Sequence, residues 1–434
     1  GCTNPGSRIL FRKGRRNCES YYRAGELSQI RSIKGTHDIL PGDSNRWQRL
    51  EQVVHQVCRQ FGYREIRTPM FEKTRLFARS VGEETDIVSK EMYSWEDRDG
   101  SSLTLRPELT ASVVRSYIQH NLRGQAPAQR LYYLGPLFRR ERPQKGRQRQ
   151  FHQFGVEAFG SENPEQDTEI IALAWHILSE CGLSANATLH LNSIGSFDCR
   201  SAYKEALKDF IRPNLKQFSE TSQRRFETNT LRILDTKAEH EKKLLEGVPL
   251  VSDYFTDDDK IHFDSVQHFL NAMDIPFALN PKLVRGLDYY SRTVFEFTSP
   301  VLGAQDALLG GGRYDELVET LGGKPTPAIG FAAGMERFLI ALESIEKTES
   351  DPKPDIYFIC LEEDGLPAAL SLCQQLRRAG KNLVMDSLRR SLKAQLREAN
   401  KSGAGHALIL GREEIESNSI VIKDLEKGHQ VAVL

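Results

Sequence analysis

Residues 134–160 read LGPLFRRERPQKGRQRQFHQFGVEAFG, and their pattern decides the fold of the surrounding chain. An apolar run at residues 131–138 ends where a polar loop begins. After the loop, residues 151–159 alternate between two faces, with Gln153 and Glu157 on the same one. Alternation with a period of two indicates a strand that is buried on one side. The stretch therefore predicts two strands joined by a long loop.

The loop between these strands is strongly basic. Residues 139–149 contain six lysines and arginines but a single acid, Glu141, in a chain whose formal net charge is zero. Positive charge concentrated beside two buried strands suits a polyanion, such as nucleotide phosphates or a nucleic-acid backbone. A solvated hairpin tip would have the same composition, so the loop alone leaves both interpretations open.

The bulk composition is that of a globular protein with several domains. The chain has 434 residues, of which 39% are hydrophobic and 27% charged, and acids and bases both number 59. This length predicts about three domains, and no apolar run approaches the length of a membrane span. The seven cysteines form no C-x-x-C pair, which indicates reduced intracellular thiols and neither a disulfide framework nor a zinc site. We expect a cytoplasmic protein.

Residues 1–31 differ from the rest of the chain. They are basic, and they lack both hydrophobic periodicity and the apolar core of a secretory signal. We interpret them as a disordered extension. An organellar transit segment, rich in arginine, is the alternative, and an organellar location would follow from it.

Residues 32–196 mix helical and strand patterns and form the first part of a main domain. Asp99 and Gly100 predict the tight turn of a second hairpin. In chain order we expect a helix at 44–61, a strand at 63–69, a short helix or turn at 71–81, the hairpin at 91–105, helices at 111–121 and 165–181, and a strand at 188–194.

Residues 197–272 change character, being charged and helical in pattern. This segment lacks the strand alternation on either side of it, and we interpret it as an inserted helical domain. Strand patterns resume in residues 273–343, the second part of the main domain. They lead through a glycine-rich run at 310–312 to a core helix that is expected to start near Ala332.

The last part of the chain is predicted to be a separate unit. Residues 344–354 are polar and bear prolines, and we interpret them as a linker. Residues 355–434 then alternate between strands and helices, which predicts a small α/β domain. The hairpins of the main domain favour an antiparallel sheet with flanking helices, so the fold class is α+β. Expected C-terminal elements are strands at 356–361, 382–385, 407–410 and 431–434, with helices at 367–379 and 388–400.

Charged residues cluster at the ends of apolar elements in four stretches, residues 106–108, 139–157, 285–290 and 334–337. Taken singly, each is more typical of a surface salt bridge than of a site. Several guanidiniums buried together require a compensating anion, which a triphosphate would supply. Such a set supports attack of a carboxylate on an α-phosphorus, a reaction that needs positioning and charge neutralisation. The glycines at 310–312 lack the lysine of a Walker A loop, which argues against a P-loop kinase or ATPase.

These stretches resemble those of class II aminoacyl-tRNA synthetases. Residues 63–69 resemble the first class II motif, residues 134–159 the second and residues 327–342 the third. Two stretches are more specific, LVRGLDYYSRTVFEF (283–297) and GGGRYDEL (310–317). They resemble the two histidine-specific stretches of histidyl-tRNA synthetases of the bacterial type. The resemblance extends from about residue 32 to the C-terminus, and it implies a homodimer whose interface includes the first motif.

The resemblance also implies an activity and its ligands. Members of this family activate L-histidine with Mg²⁺-bound ATP to histidyl-adenylate and pyrophosphate, and then transfer histidine to the 3′ end of tRNA(His). Residues 32–196 and 273–343 would form the catalytic domain, and residues 355–434 the anticodon-binding domain. Neither an organic cofactor nor zinc is expected, and no membrane is involved.

Family roles carry over to matching positions of this sequence. Arg139 resembles the arginine that binds the α-phosphate, Arg285 a further catalytic arginine at that phosphate, and Arg337 the arginine on the γ-phosphate. Glu141 resembles the acid beside the adenine, and Arg147 a loop arginine near the phosphates. The residues that match the histidine pocket are Glu108, Thr110, Gln153, Glu157, Arg285, Tyr289, Tyr290 and Tyr314. Contacts with tRNA are expected for Arg142 and Gln144 at the acceptor end, and for Arg389 and Arg390 in the basic run of the anticodon-binding domain.

Two rival functions and one departure accompany the resemblance. A non-catalytic regulatory subunit of ATP phosphoribosyltransferase has a synthetase-like fold, but such subunits typically lose the anticodon-binding domain and the catalytic arginines, which this chain keeps. A pure tRNA-binding module would not explain a polar pocket of the size of histidine. Leu109 stands where many relatives have glycine, so the approach of the backbone to the pocket can differ there.

Overall fold

The computed structural model describes residues 29–82, 85, 87–144, 146–234, 236, 238–285, 287, 289–303, 306–345 and 353–434. Residues 1–28 of the predicted extension and residues 346–352 of the predicted linker lie outside the described residues. So do Lys145, Gly286 and Asp288 in the stretches quoted above.

The first part of the chain folds close to the predicted pattern. The first helix begins at Pro41, ahead of the predicted residue 44, because proline has a suitable φ for the first helical turn and its missing N–H has no partner there. Residues 71–81, predicted to be a helix or turn, are a strand followed by a helix. The elements are α1 (Pro41–Gln60), β1 (Arg64–Glu65), β2 (Phe71–Lys73), α2 (Thr74–Val81), β3 (Ser94–Glu96), β4 (Ser102–Leu105), α3 (Thr110–Gln119), α4 (Leu122–Gln125), β5 (Gln129–Phe138), β6 (Gln150–Phe159), α5 (Pro164–Glu180) and β7 (Thr188–Ser193).

The next part begins with helices, as predicted, and these have an apolar cluster of their own. The chain then returns to strands. Ala332 was expected to start the core helix, but it lies in a strand that ends at Gly334, and the helix begins at Met335. The elements are α6 (Phe197–Ile211), α7 (Glu220–Thr228), α8 (Glu239–Leu244), α9 (Asp257–Ala272), β8 (Ala278–Leu279), β9 (Ser291–Thr298), β10 (Ala307–Arg313), α10 (Leu317–Thr320), β11 (Ala328–Gly334) and α11 (Met335–Ile345).

The C-terminal elements follow the predicted α/β order, but the helix Arg412–Glu416 and the strand Ile420–Asp424 were not predicted, and one helix begins later than expected. The helix expected at 388–400 begins only at Leu392, because Arg389 has a φ of 51°, which a right-handed helix cannot include. The elements are β12 (Ile356–Cys360), α12 (Leu366–Arg378), β13 (Leu383–Met385), α13 (Leu392–Ser402), β14 (His406–Leu410), α14 (Arg412–Glu416), β15 (Ile420–Asp424) and β16 (Gln430–Val433). They form a five-stranded sheet in the order β13-β12-β14-β15-β16.

The main sheet has eight strands in the order β1-β5-β6-β11-β10-β9-β7-β8. The pairs β1–β5 and β7–β8 are parallel and the other pairs are antiparallel. The predicted β5–β6 hairpin is confirmed, with Phe138 opposite Gln150 at the end that carries the loop. Side by side, β6, β11, β10 and β9 bring the second and third motifs and both histidine-specific stretches into contact. The α+β class is confirmed.

The two faces of the main sheet carry different apolar clusters. Helices α1, α5, α9 and α11 cover one face with residues such as Leu50, Ile170, Val266 and Phe338. On the other face, α3 packs against Tyr133 of β5 and the end of β6. A small separate sheet, β2-β4-β3, adjoins α3 and includes the predicted hairpin. The site described next lies beside α3.

Candidate active site

A cavity of about 620 Å³ lies where α3, β6 and β11 meet the segments before β9 and after β10. The twelve residues predicted to bind ATP or histidine all line it, whereas the four residues predicted to contact tRNA are outside its lining. The twelve are Glu108, Thr110, Arg139, Glu141, Arg147, Gln153, Glu157, Arg285, Tyr289, Tyr290, Tyr314 and Arg337.

One end of the cavity is acidic. Glu157 is buried on β6 and accepts hydrogen bonds from Thr110 Oγ1 at 2.7 Å, from Tyr133 Oη at 3.2 Å and from the hydroxyl of Tyr314. Glu108, also buried, accepts from the backbone N–H of Ala111 at 2.9 Å. Burial raises the pKa of Glu108 to about 7 and that of Glu157 to about 8. Both acids therefore line a part of the cavity in which a bound cation would stabilise their ionised form.

Aromatic rings form the wall beside the acids. Tyr289 and Tyr290 have ring centroids 4.8 Å apart, and Tyr289 meets Tyr314 edge-on at 5.5 Å. Gly312 permits this arrangement, because a Cβ on it would lie only 2.9 Å from the ring of Tyr290. Gln153 lines the same cavity from β6. The wall thus combines apolar ring faces with phenol and amide groups that can hydrogen-bond a polar ring.

Arg139 and Arg337 line a cationic part of the same cavity. Arg139 lies 5.2 Å from the centre of the Phe151 ring, and its Nε donates to the carbonyl of Pro107 at 2.8 Å. Arg337 Nη1 donates to the carbonyl of Ala307 at 2.7 Å. Burial is the largest cause that lowers the pKa of both guanidiniums. Charges held away from water in this way favour the binding of an anion.

Arg285 is the third arginine of this part. Its guanidinium forms an ion pair with Glu296 of β9, and among the residues that the structure describes its buried Nε has no hydrogen-bond partner. Burial opposes the charge of Arg285, but Glu296 and Tyr290 outweigh that effect and raise its pKa. The guanidinium lies directly against Gly310, where any side chain would collide with it. The glycines of β10 therefore make room for an arginine that retains an unused donor.

The motif 2 loop borders the cavity and extends beyond it. Glu141 and Arg147 form an ion pair of 3.4 Å at its edge. Arg142 and Gln144 are exposed, and the backbone of Gln144 pairs with that of Arg147. The tip of the loop is accordingly available to a partner outside the cavity.

The two arginines predicted to bind tRNA in the C-terminal sheet have different surroundings. Arg389 is exposed and its pair with Glu363 is exposed as well. Arg390 forms ion pairs with the buried Asp386 and, at 3.5 Å, with Glu398. The guanidinium of Arg390 thus has an internal structural role, whereas that of Arg389 faces solvent.

Comparison with known proteins identifies the family of this site. Residues 35–338 match the family described as histidyl-tRNA synthetase, and residues 355–433 match the anticodon binding domain. Histidine–tRNA ligases from Chloroherpeton thalassium and Bacillus velezensis are 46% and 47% identical to this chain, over 93% and 92% of its length and 95% of their own. The chain belongs to the histidyl-tRNA synthetase family.

A solved structure supports the same assignment. Apo histidyl-tRNA synthetase of S. aureus superposes with a TM-score of 0.79 at 36% identity, covering 93% of this chain and 97% of the other. The predicted enzyme class, an ATP-dependent histidine–tRNA ligase with a C-terminal anticodon-binding domain, is confirmed. The chain is 46% identical to histidine–tRNA ligases over more than nine-tenths of its length. This similarity argues against the rival function as a regulatory subunit of ATP phosphoribosyltransferase.

Two residues of the synthetase site were missed in the sequence. Tyr133 donates to Glu157, and Glu296 pairs with Arg285. Glu296 is the single acid in strand β9, and this was a usable signal. Tyr133 had no comparable signal, because a tyrosine in an apolar strand usually belongs to the core. Leu109, the departure from the family pattern, has a φ of −108°, which does not require glycine, and it is buried in the apolar cluster beneath α3.

Proposed function

We propose that the cavity binds histidine at its acidic end and Mg²⁺-bound ATP at its arginine end, so that the carboxylate of the amino acid meets the α-phosphate between them. The observation that carries this proposal is that two buried carboxylates and three half-buried guanidiniums line one cavity. A substrate with an ammonium at one end and phosphates at the other would match both.

For the histidine end, we assign the ammonium group to Glu108, Thr110 and Glu157. The imidazole would lie against the aromatic wall. Tyr289, Tyr290, Tyr314 and Gln153 offer donors and acceptors to both ring nitrogens, as a neutral imidazole requires. An amino acid without those nitrogens would leave these groups unpaired, which is the basis of strong discrimination.

For the phosphate end, we assign the α-phosphate to Arg139 and Arg285 and the γ-phosphate to Arg337, with Arg147 nearby and Glu141 beside the adenine. A carboxylate oxygen of histidine attacks the α-phosphorus as the bond to the β-phosphate breaks, and pyrophosphate leaves toward Arg337. A carboxylate is already ionised, so no general base is needed. Arginine suits these positions because its planar fork binds two phosphate oxygens at once.

Magnesium would enter as part of the ATP substrate. Among the residues that the structure describes, no three His, Cys, Asp or Glu side chains converge as a metal site. Mg²⁺ at such sites is commonly held by one or two carboxylates together with substrate phosphates. Glu141 and Glu296 line the arginine end and could supply those carboxylates. That the synthetase needs neither zinc nor an organic cofactor stays a prediction.

For the tRNA, we propose that Arg142 and Gln144 meet the acceptor end. Both are exposed on the loop beside the proposed adenylate position. We propose that Arg389 contacts the anticodon directly. Arg390 would contribute to tRNA binding only indirectly, by stabilising the domain through its ion pair with Asp386. The division into catalytic parts at 32–196 and 273–343, a helical insertion at 197–272, a linker at 344–354 and an anticodon-binding domain at 355–434 belongs to the same proposal.

We further propose that the enzyme is a cytoplasmic homodimer. Next to the first motif, Met70, Phe71 and Trp95 expose 51%, 52% and 41% of their surface, and the rings of Phe71 and Trp95 pack together. Apolar exposure of this kind suits contact with a second copy. In the described residues, no helix is both long and apolar enough to cross a membrane. Analytical ultracentrifugation would contradict the dimer by giving the mass of one chain.

A calorimetric titration tests the proposed arrangement of the two ends. The ligand is a histidyl-adenylate analogue in which a stable sulfamoyl group replaces the phosphate. It occupies both ends at once, so we expect it to bind at least about a hundredfold more tightly than histidine alone. An affinity no greater than that of histidine would mean that the two ends do not share one substrate.

A further inference from the structure

Arg200, on α6 of the helical insertion, joins the two histidine-specific stretches from outside the cavity. Its Nη1 donates to the backbone carbonyl of Tyr290 at 2.8 Å, and its Nη2 pairs with Glu316 Oε1 at 2.9 Å. Tyr290 belongs to the stretch 283–297 and Glu316 to the stretch 310–317. The guanidinium is largely buried and is not part of the cavity lining.

The contact with Tyr290 bears on the histidine pocket. The ring of Tyr290 packs on Tyr289, and the ring of Tyr289 on Tyr314. The hydroxyl of Tyr314 in turn donates to Glu157. A displacement of the backbone at Tyr290 would therefore pass through ring contacts to the acidic end of the pocket.

The backbone that follows Tyr290 is held in an unfavourable conformation. Arg292 has a φ of 47°, in the left-handed region. Its N–H donates to the carbonyl of Gly195 at 2.9 Å, and its Nε lies 3.4 Å from the buried Asp259 of α9. A residue other than glycine keeps such a conformation only where the surroundings fix it. Here α9 and the segment before α6 provide that support.

The second stretch is also linked to the insertion, through Asp167 of α5. Arg313, which is fully buried just before Tyr314, forms ion pairs with Asp167 of α5 and with Asp315. The same Asp167 lies 2.8 Å from Nε2 of His262 on α9. Arg200 and Asp259 thus bond the insertion directly to the segments that carry the tyrosines of the pocket, and His262 adds a link through Asp167.

We propose that Arg200 is a positioning residue for the histidine pocket, which makes the helical insertion part of amino-acid recognition. The inference rests on the proposed roles of Tyr289, Tyr290 and Tyr314. Arg200 acts through the carbonyl of Tyr290 and does not touch the substrate. Its contacts reach the histidine pocket through Tyr290 and the ring contacts beyond it, so its loss weakens the binding of histidine far more than that of ATP.

Steady-state pyrophosphate exchange with the full-length enzyme tests this role. Arg200→Met keeps the apolar stem but removes the donors. We expect the KM for histidine to rise about tenfold, the usual effect of losing a hydrogen bond from a charged donor, while the KM for ATP stays within about twofold. Arg200→Lys retains a donor for the carbonyl of Tyr290 and recovers most of the loss. Arg212→Met, a change of an exposed arginine beyond the end of the same helix, is the matched control and leaves both constants unchanged.

Equal increases of both KM values, or an unchanged KM for histidine in a folded Arg200→Met variant, would overturn the proposal. Thermal melting identifies variants that do not fold. If Arg200→Met is one of them, Glu316→Gln loosens the same guanidinium from a half-exposed position and should raise the KM for histidine about two- to threefold; no increase there also overturns it. The parent enzyme is the reference throughout, because absence of exchange in the parent would contradict the proposed function and not the role of Arg200.

Discussion

The carboxylate of Glu157 accepts hydrogen bonds from Thr110, Tyr133 and Tyr314 while it is buried between β5 and β11. It shares the acidic end with Glu108. Burial raises the pKa of both carboxyl groups to about 8 and about 7, against an ordinary value of 4.5. Without substrate, the two acids are therefore partly protonated at neutral pH, and a bound ammonium group would displace these protons. Glu108 and Glu157 together recognise the amino end of histidine.

Histidine binding should for this reason release protons at neutral pH. The raised pKa values mean that the folded, empty protein binds more protons than the unfolded chain between about pH 4.5 and 8, so its free energy of unfolding falls as the pH rises through that window. The ammonium of histidine favours the ionised acids and reverses this loss. We expect release of about one proton at pH 7, measured calorimetrically in two buffers of different ionisation enthalpy. Glu157→Gln should reduce the release, and equal heats in both buffers for the parent would contradict it.

Arg285 provides a second prediction at the scale of one residue. Its Nε is buried and has no partner in the part of the chain that the structure describes, which suits a phosphate oxygen that is present only with substrate. Arg285→Ala should lower the kcat of adenylate formation about a hundred- to thousandfold, as does loss of other preorganised charge donors. Single-turnover assays with histidine and ATP measure the rate. A parallel loss of thermal stability and of tRNA binding would show instead that Arg285 is a structural residue.

At the scale of elements, Arg106 holds the first motif against the second. Its guanidinium is buried and donates to the carbonyls of Thr68 at 2.7 Å, Pro136 at 2.9 Å and Pro69 at 3.3 Å. Arg106→Met would leave these carbonyls unpaired, and we expect the free energy of unfolding to fall by about 2–4 kcal/mol. Denaturant unfolding measures it. Arg79→Met, at an exposed position of α2, should lower the free energy of unfolding by less than about 0.5 kcal/mol. Equal effects at both positions would contradict the role of Arg106 in joining the two motifs.

The elements also show how far the sequence determines the fold. Strands β5 and β6 were predictable because the first is an apolar run, the second alternates with a period of two, and a polar loop separates them. Strand β11 was mistaken for the start of a helix, because a central strand that is buried on both faces has no alternation and consists of small apolar residues. The sequence also showed no sign that Gly310–Gly312 lie in a strand, because glycine by itself disfavours strands. They are needed here because a side chain at Gly310 would collide with Arg285 and one at Gly312 with Tyr290.

The site was more predictable than these elements. The twelve residues that the family resemblance supplied for ATP and histidine are all among the residues that line the cavity. Sequence reasoning could not give the partners that tune them, such as Tyr133 for Glu157 and Glu296 for Arg285, because those contacts depend on the register between strands. Nor could it separate Arg389 from Arg390, which are adjacent in the chain but differ in burial and in partners.

At the scale of the whole molecule, the C-terminal domain should contribute to tRNA binding mainly through exposed cations. Arg389→Ala removes an exposed charge and should reduce the slope of log K against log salt by about one, without a change in stability. Arg390→Ala removes the partner of the buried Asp386 and should destabilise the domain. Filter binding of tRNA(His) across salt concentrations and thermal melting measure the two effects. An unchanged salt slope for Arg389→Ala would exclude it from the tRNA contacts.

The central claim is that one cavity joins histidine to ATP, with the acids at the amino end and the arginines at the phosphates. ATP–pyrophosphate exchange by the purified full-length chain, with each of the twenty amino acids in turn, tests it most directly. The account predicts exchange with histidine and none above background with the other nineteen. Exchange with a different amino acid, or none at all from a folded sample, would contradict it.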